Sequence, residues 1–317
     1  MLDVFFATLT PMLMMFFCIV FGFLLRKKKL CPDNTGTVLS KLETYVFCPA
    51  LILNTFTEYC TVESLQLRWQ TLLFSLGITL LAVGLSYPLS ALFEKKGYPR
   101  RVYRYAMAFA NAGFMGNAIV PAILGAEMLY EYLLFCLPLQ LFIYSWGISQ
   151  LVPHKGSGSR ALQLLKNPTI LAILIGIPLG LSGSKNYLPA FFFDALGALK
   201  GCMGPVAMLL TGFVVAGYDF GSLLRKPKVY AASAVRLFLL PSLYVAILLL
   251  FGADPLTATL CFFAFGTPLG LNTVVFPAAY GEDTSVGASM AMISHTLCVL
   301  TIPLMYSLLR TLLQSLT

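Results

Sequence analysis

Ala108-Phe109-Ala110-Asn111-Ala112-Gly113-Phe114-Met115-Gly116-Asn117 runs on to Pro121-Ala122, Gly125 and Glu127. Ala264-Phe265-Gly266-Thr267-Pro268-Leu269-Gly270-Leu271-Asn272-Thr273 runs on to Pro277-Ala278, Gly281 and Asp283. The two stretches lie 156 residues apart, and without a gap Ala, Phe, Pro, Ala, Gly and an acid fall at matching positions. Both are apolar enough to sit in lipid, yet both carry Gly, Pro and Asn where a spanning helix should be continuous. Lipid supplies no hydrogen bonds, so a broken helix at membrane depth survives only where protein or a watery cavity satisfies its freed backbone groups. Such a pair of interruptions, at corresponding places in two halves, points to a transporter's binding site.

The rest of the chain agrees with a membrane setting. Its 317 residues are 58% hydrophobic and only 11% charged, where a soluble domain is about one quarter charged. The sequence therefore predicts an all-α polytopic membrane protein. Its net charge of +8 comes from short basic clusters between apolar runs, which membrane orientation requires and nucleic-acid binding does not. Eight cysteines are scattered without a CxxC, and the two histidines form no HExxH. With no GxSxG or Walker-type loop either, the sequence predicts no enzyme, metal site or cofactor.

Windows of about 20 apolar residues place ten spans, at roughly 4–25, 37–56, 69–93, 103–125, 129–151, 168–183, 189–215, 229–251, 256–279 and 285–312. The first is read as a retained span, not a cleaved signal, because its basic cluster Arg26-Lys27-Lys28-Lys29 follows the apolar run. Fifteen of the 21 basic residues fall in the odd-to-even connections. These are Arg26 to Lys29; Lys95, Lys96, Arg100, Arg101 and Arg104; Lys155, Arg160 and Lys166; and Arg225, Lys226 and Lys228. The opposite side holds only Arg68, Lys185 and Arg310. The expected location is the plasma (cytoplasmic) membrane, with both termini extracytoplasmic.

The 156-residue register also pairs Pro49 with Pro205. A repeat of five spans must lie upside down relative to its copy, so residues 1–154 and 155–317 are expected to form two inverted repeats. Gly113 and Gly116 tolerate unwound dihedrals, and Pro121 lacks an amide proton. Pro268, Gly270 and Pro277 have the same effect in the second copy. Unwinding leaves half-helix N-termini whose N–H groups attract an anion. Asn111, Asn117, Thr267, Asn272 and Thr273 add neutral donors for a carboxylate.

His295, Lys200 and Glu43 are candidates for coupling or for shaping the path. His295 lies mid-span in the tenth segment, where it either carries a proton or packs as a neutral hydrogen-bonded ring. Lys200 lies within the seventh span, and an intramembrane charge is costly enough to be functional by default. Lys41 and Arg236 are also intramembrane or at span ends, where snorkelling competes with function, and Glu43 is placed to neutralise Lys41. Gly176-x-x-x-Gly180 and Gly197-x-x-x-Gly201 permit close helix packing, including at a homodimer contact.

The run Asn111 to Asn117, the segment Pro277-Ala278-Ala279-Tyr280-Gly281 with Asp283, and the stretch Ser294 to Pro303 together resemble the auxin efflux carrier family. That family includes plant auxin exporters and bacterial malate or malonate permeases. The resemblance implies ten helices in two inverted five-helix repeats, with the fourth and ninth crossing at broken, proline-containing segments. It implies a small carboxylate substrate such as malate, malonate or an auxin-like acid, bound where Asn111 matches the family's asparagine. It also implies elevator-type alternating access, with spans 1, 2, 6 and 7 as a scaffold, often dimeric, and spans 3–5 with 8–10 moving. One departure stands out: Asn117 follows Gly116, where the family often has proline soon after, and here proline waits until 121. The long cytoplasmic loop of many plant exporters is absent, so a short bacterial-type carrier is the closer match.

Two alternatives compete with an organic-anion carrier: a sodium-coupled symporter of the bile-acid type, and a non-transporting membrane receptor. Sodium sites need convergent carboxylate and carbonyl oxygens, whereas Glu127, Glu282 and Asp283 lie at span ends. Short loops leave little surface for a signalling partner. The charge distribution makes one direct prediction. Epitopes fused to either terminus should label on intact cells, and one inserted near Lys95 only after permeabilisation; the reverse pattern would invert the topology.

Overall fold

The computed structural model describes residues 1–152, 167–184, 187–219, 221, 224–279 and 282–316. The expected repeat boundary at 154/155, together with Lys155, Arg160, Lys166, Lys185, Tyr280 and Gly281, lies outside the described residues. Among the described residues the fold is all helix, with no strand. Eight helices are long and apolar enough to cross a membrane: α1 (Leu2–Lys27), α2 (Thr35–Tyr59), α3 (Val62–Phe93), α4 (Gly97–Leu124), α5 (Met128–Leu151), α7 (Ala190–Val215), α8 (Pro227–Leu250) and α11 (Ser285–Leu316). Two apolar helices are shorter, α6 (Pro168–Leu181) and α9 (Pro255–Gly266), and α9 is followed by α10 (Asn272–Ala279).

These positions follow the apolar windows closely. Where they differ, polar helix ends are the reason. α3 starts at Val62 because Thr61 and Ser64 form a reciprocal capping box that supplies the first turn's missing partners. α4 starts at Gly97, so its first turns carry Arg100, Arg101 and Arg104, residues that a hydropathy window excludes.

Glycine fixes how the helices cross. A Cβ on Gly22 of α1 would overlap the Leu209 carbonyl of α7, and one on Gly212 of α7 would overlap the Ile19 carbonyl of α1. Backbone thus touches backbone at this crossing, the contact that small residues permit between membrane helices. Arg26 donates from Nη1 to the Phe213 carbonyl at 3.1 Å and lies over the Phe213 ring, placing a cation near the C-terminal end of α7. Gly176 and Gly180 of α6 abut Phe56 and Cys60 of α2, so this pair packs within the chain. Gly197 and Gly201 meet nothing within 4 Å.

Helices α1, α2, α6 and α7 form one packed set, and α3 packs on α4 and α5 while α8 packs on α9 and α11. α1 also touches α11 and the second half of α4, and α7 touches that half as well. Two ion networks mark opposite ends of α3. Near its start Arg68 bridges Glu131 at 3.0 Å and reaches Asp254 at 3.8 Å. Just past its end Glu94 accepts from Lys228 Nζ at 2.9 Å. The 26 residue steps from Arg68 to Glu94 span ~39 Å of helix, enough to cross a bilayer's hydrocarbon core.

Burial separates central from peripheral helices. In α1 only 17% of the most apolar window is buried, against 67% in both α4 and α11. Every residue from Thr257 to Gly266 of α9 is buried, as expected of a helix that is apolar all round. Wide π turns interrupt α2 at Glu43–Phe47, α4 at Ala112–Gly116, α5 at Ile143–Gly147 and α8 at Val235–Leu239. Those in α2 and α8 immediately precede Cys48-Pro49 and Leu240-Pro241. The extra residue in the turn moves aside the carbonyl that proline would otherwise strike and leave unpaired.

The α1–α7 crossing has a measurable consequence. Gly212→Leu should lower the detergent-solubilised unfolding temperature, since overpacking costs about 1–3 kcal/mol or more, whereas Gly197→Leu should leave it within error of wild type.

Candidate functional site

The central helices α4 and α9–α10 both break, and the two breaks meet. In α4 the regular helix ends at Ala108, and Phe109 is extended at φ −126° and ψ 140°. Asn111 then precedes the π turn Ala112–Gly116, and a second limb runs Asn117–Leu124. α9 ends at Gly266, Thr267 is extended at φ −69° and ψ 156°, and helix resumes only at Asn272. The Asn111 N–H donates to the Pro268 carbonyl at 2.7 Å. Gly270 lies against Ala110 and Asn111, its Cβ position 3.6 Å from the Ala110 carbonyl oxygen. Each break thus supplies a backbone partner that lipid cannot.

This geometry corrects the expected position of the first break. Gly113 and Gly116 lie in the π turn and Gly116 has φ −60° and ψ −46°, so neither is the unwound point. The chain is open instead at Phe109 to Asn111. Pro121 and Pro277 also lie inside the second limbs, each eight residues long, and not at the breaks. Pro268 and Gly270 do lie in the second break. In the 156-residue register Pro268 stands where the first copy has Ala112. Proline disfavours helix in the residue before it, so Thr267 stays extended and the second break stays open; with alanine there, the first copy winds into the π turn.

The matched phenylalanines hold the ends of the first limbs. Phe109 packs edge-on against Tyr105 and Trp146, at 5.2 and 5.7 Å between ring centroids. Phe265 packs edge-on against Tyr244 at 4.9 Å. Aromatic pairs of this geometry add roughly 0.5–1.5 kcal/mol beyond area burial, which helps to hold a helix stub that has lost its next turn.

The predicted donors divide into those already engaged and those left open. Asn111 is 2% exposed, and its Nδ2 lies 3.3 Å from His295 Nε2. His295 Nδ1 is 2.7 Å from the Ala291 carbonyl, which can only accept. That bond assigns the proton to Nδ1, leaves Nε2 as acceptor for the Asn111 amide, and describes a neutral imidazole. Asn272 Nδ2 donates to Tyr105 Oη at 3.0 Å, and Thr273 Oγ1 to the Gly270 carbonyl at 3.0 Å. The first bond stitches the crossing together, and the second ties the start of α10 to its own break. Gly116 has the Tyr132 hydroxyl where its Cβ would be, and that hydroxyl donates to the Ala112 carbonyl at 3.0 Å.

The remaining donors have no partner among the described residues. Asn117 is 1% exposed with neither amide atom hydrogen-bonded, and Thr267 Oγ1 is buried and unpaired. A buried polar atom left unpaired costs about 1–3 kcal/mol, so unpaired donors beside a crossing are what a polar ligand would relieve. A Cβ on Gly113 would meet nothing within 4 Å, which leaves the backbone at the start of the π turn open to close approach. The leading N–H groups of that turn have no helical carbonyl behind them.

The other two residues considered for coupling, Lys200 and Glu43, lie on α7 and α2. Lys200 Nζ donates to Asn54 Oδ1 at 3.2 Å, linking α7 to α2. Glu43 is fully buried in the π turn of α2, its carboxyl oxygens unpaired among the described residues, and Lys41 is exposed. Glu43 therefore does not neutralise Lys41. Sequence reasoning left Arg236 open to snorkelling, but the structure buries it. It also missed the role of Ser294, whose Oγ accepts from the Leu269 N–H at 3.0 Å; the residue stands in the sequence only as the start of the stretch that carries the resemblance.

Among known families, the model described as membrane transport protein matches the chain twice, over residues 7–161 and 152–306. No curated protein matches it.

The second break depends on Ser294 for a backbone group that nothing else satisfies. Ser294→Ala should therefore destabilise the protein by about 1–3 kcal/mol, read as a lower unfolding temperature. Thr296→Ala, one turn position away with its hydroxyl bonded to its own helix, should cost much less.

Proposed function

The chain belongs to the membrane transport protein family, the transport domain of auxin efflux carriers, and from that premise we propose that it is a secondary carrier for a small carboxylate. The carboxylate binds at the crossing of α4 with α9–α10. The observation that carries this reading is the Asn111 N–H to Pro268 carbonyl bond, which brings two interrupted helices together beside buried, unpaired donors. Asn117, Thr267 and the unobstructed backbone at Gly113 are the groups that meet the anion. The Asn111 amide, free to leave neutral His295, joins them when substrate enters.

The two halves are read as inverted repeats. The agreement of the second limbs, Asn117–Leu124 and Asn272–Ala279, with the 156-residue register to within one residue supports this. Alternating access follows an elevator scheme, in which α3–α5 and α8–α11 slide against the set α1, α2, α6 and α7. The close glycine crossing of α1 with α7, and of α2 with α6, favours a rigid frame for that motion. Two copies join through this frame in the plasma membrane, with both termini outside. The Lys228–Glu94 ion pair fits that orientation, since both residues belong to connections assigned to the cytoplasm. Of the three groups considered for coupling, Glu43 is left unpaired, and a transported proton would neutralise it.

Purified protein in liposomes should accumulate labelled malonate or a related acid, with or without sodium, and respond to an imposed pH gradient. Asn111→Ala should reduce initial uptake at least tenfold while eluting and unfolding like wild type. Failure to move any carboxylate under any gradient would sink the carrier reading and favour a receptor. Unchanged uptake by Asn111→Ala would remove the asparagine from the site.

A further inference from the structure

Among the described residues Arg236 is the largest fully buried side chain, at 1% exposure. It sits in the π turn of α8, nine residues from that helix's start and therefore ~14 Å along it, close to the middle of a ~30 Å hydrocarbon layer. Nε, Nη1 and Nη2 are all buried, and none has a hydrogen-bond partner among the described residues. Nor does it form a salt bridge there. The guanidinium lies over Phe265, 5.8 Å from the ring centroid, and Phe265 is two residues before Thr267 in the second break. Its electrostatic neighbours are Tyr244, Tyr105 and Cys261, with no carboxylate among them. Tyr244 Oη is itself buried and unpaired among the described residues, while Tyr105 Oη is the acceptor for Asn272 at the crossing.

A buried guanidinium with no counter-charge is one of the costliest arrangements a protein can hold. Even after relaxation an ion removed from water loses much of its solvation, and a nearby aromatic face returns only part of that loss. Snorkelling does not relieve it, because the head group is enclosed. A carboxylate would relieve it fully, since the planar fork of donors matches two carboxylate oxygens.

We propose that Arg236 is the binding residue for a carboxylate group of the transported anion, with the Tyr244 hydroxyl as its companion donor. The substrate is thus the missing counter-ion of the membrane interior, and this inference rests on the carrier reading above. It adds a full charge to a site otherwise made of neutral donors and helix ends. In the present state Arg236 is sealed among α4, α8 and α9, so the anion reaches it only when these helices part within the moving set.

The test uses the purified full-length chain in detergent, with thermal unfolding followed in malonate, acetate and chloride at matched ionic strength. Wild type should be stabilised by a carboxylate and not by chloride. Arg236→Gln should need at least tenfold more carboxylate for the same shift, and without ligand should unfold at or above the wild-type temperature, because an uncompensated charge is gone. Arg236→Lys, which keeps the charge but loses the fork, should respond between the two. Arg236→Gln with an undiminished carboxylate response overturns the assignment. So does ligand-free Arg236→Gln unfolding well below wild type, which would make the arginine structural. Chloride as effective as carboxylate overturns the ligand class. Wild type that responds to no carboxylate strikes instead at the carrier reading on which the inference rests.

Discussion

One backbone hydrogen bond, from the Asn111 N–H to the Pro268 carbonyl, is the constraint around which the central helices are arranged. In lipid every N–H and C=O must find a partner inside the protein, so a helix cannot be opened without a second element to receive its loose groups. Here each opened helix receives the other. The extended stubs Phe109 and Thr267 face this contact, Ser294 accepts the Leu269 N–H, and Tyr132 donates to the Ala112 carbonyl. Gly270 keeps the approach close enough for the bond to form.

Much of this was legible in the sequence, for identifiable reasons. Spans are governed by apolar length, so hydropathy located them to within a few residues except where capped or arginine-bearing turns extend beyond the apolar core. The paired breaks were legible because Gly, Pro and Asn are rare enough together in an apolar run to be noticed twice. Their exact register was not. A glycine marks permission to unwind, not the act, and Gly113 and Gly116 remain in right-handed turns while the chain opens before them. The decisive difference between the copies, Pro268 against Ala112, is a single residue whose effect falls on its predecessor.

Side-chain partnerships were less legible still. Nothing in the spacing of Asn272 and Tyr105, 167 residues apart, announces their hydrogen bond. Asn111 was singled out by resemblance and turns out to face His295, a pairing that ties two separately noticed residues into one unit. Arg236 shows the opposite limit. Its sequence position fits a charge reaching for the interface as well as one sealed inside, and only the fold of α8 against α9 and α11 decides between them. Even the split of helices into two packed sets depends on contacts such as Gly22 against Leu209, invisible without a partner backbone.

The π turns deserve a last consideration as pieces of mechanical design. Each holds one more residue than an α-helical turn needs, and one residue corresponds to about 100° of rotation for ~1.5 Å of length. In α8 this twist falls between the polar entrance of the helix and its apolar end, so the two ends present faces that no single helical wheel describes. Deleting one residue from Val235–Leu239 would barely shorten the helix, yet it would swing its entire first segment a quarter-turn or more about its axis. The side chains that anchor this segment would then look toward lipid where they had looked toward protein. Helices of this kind are tolerant of sequence drift and intolerant of changes in residue count, and the two kinds of variation should leave very different marks on the protein.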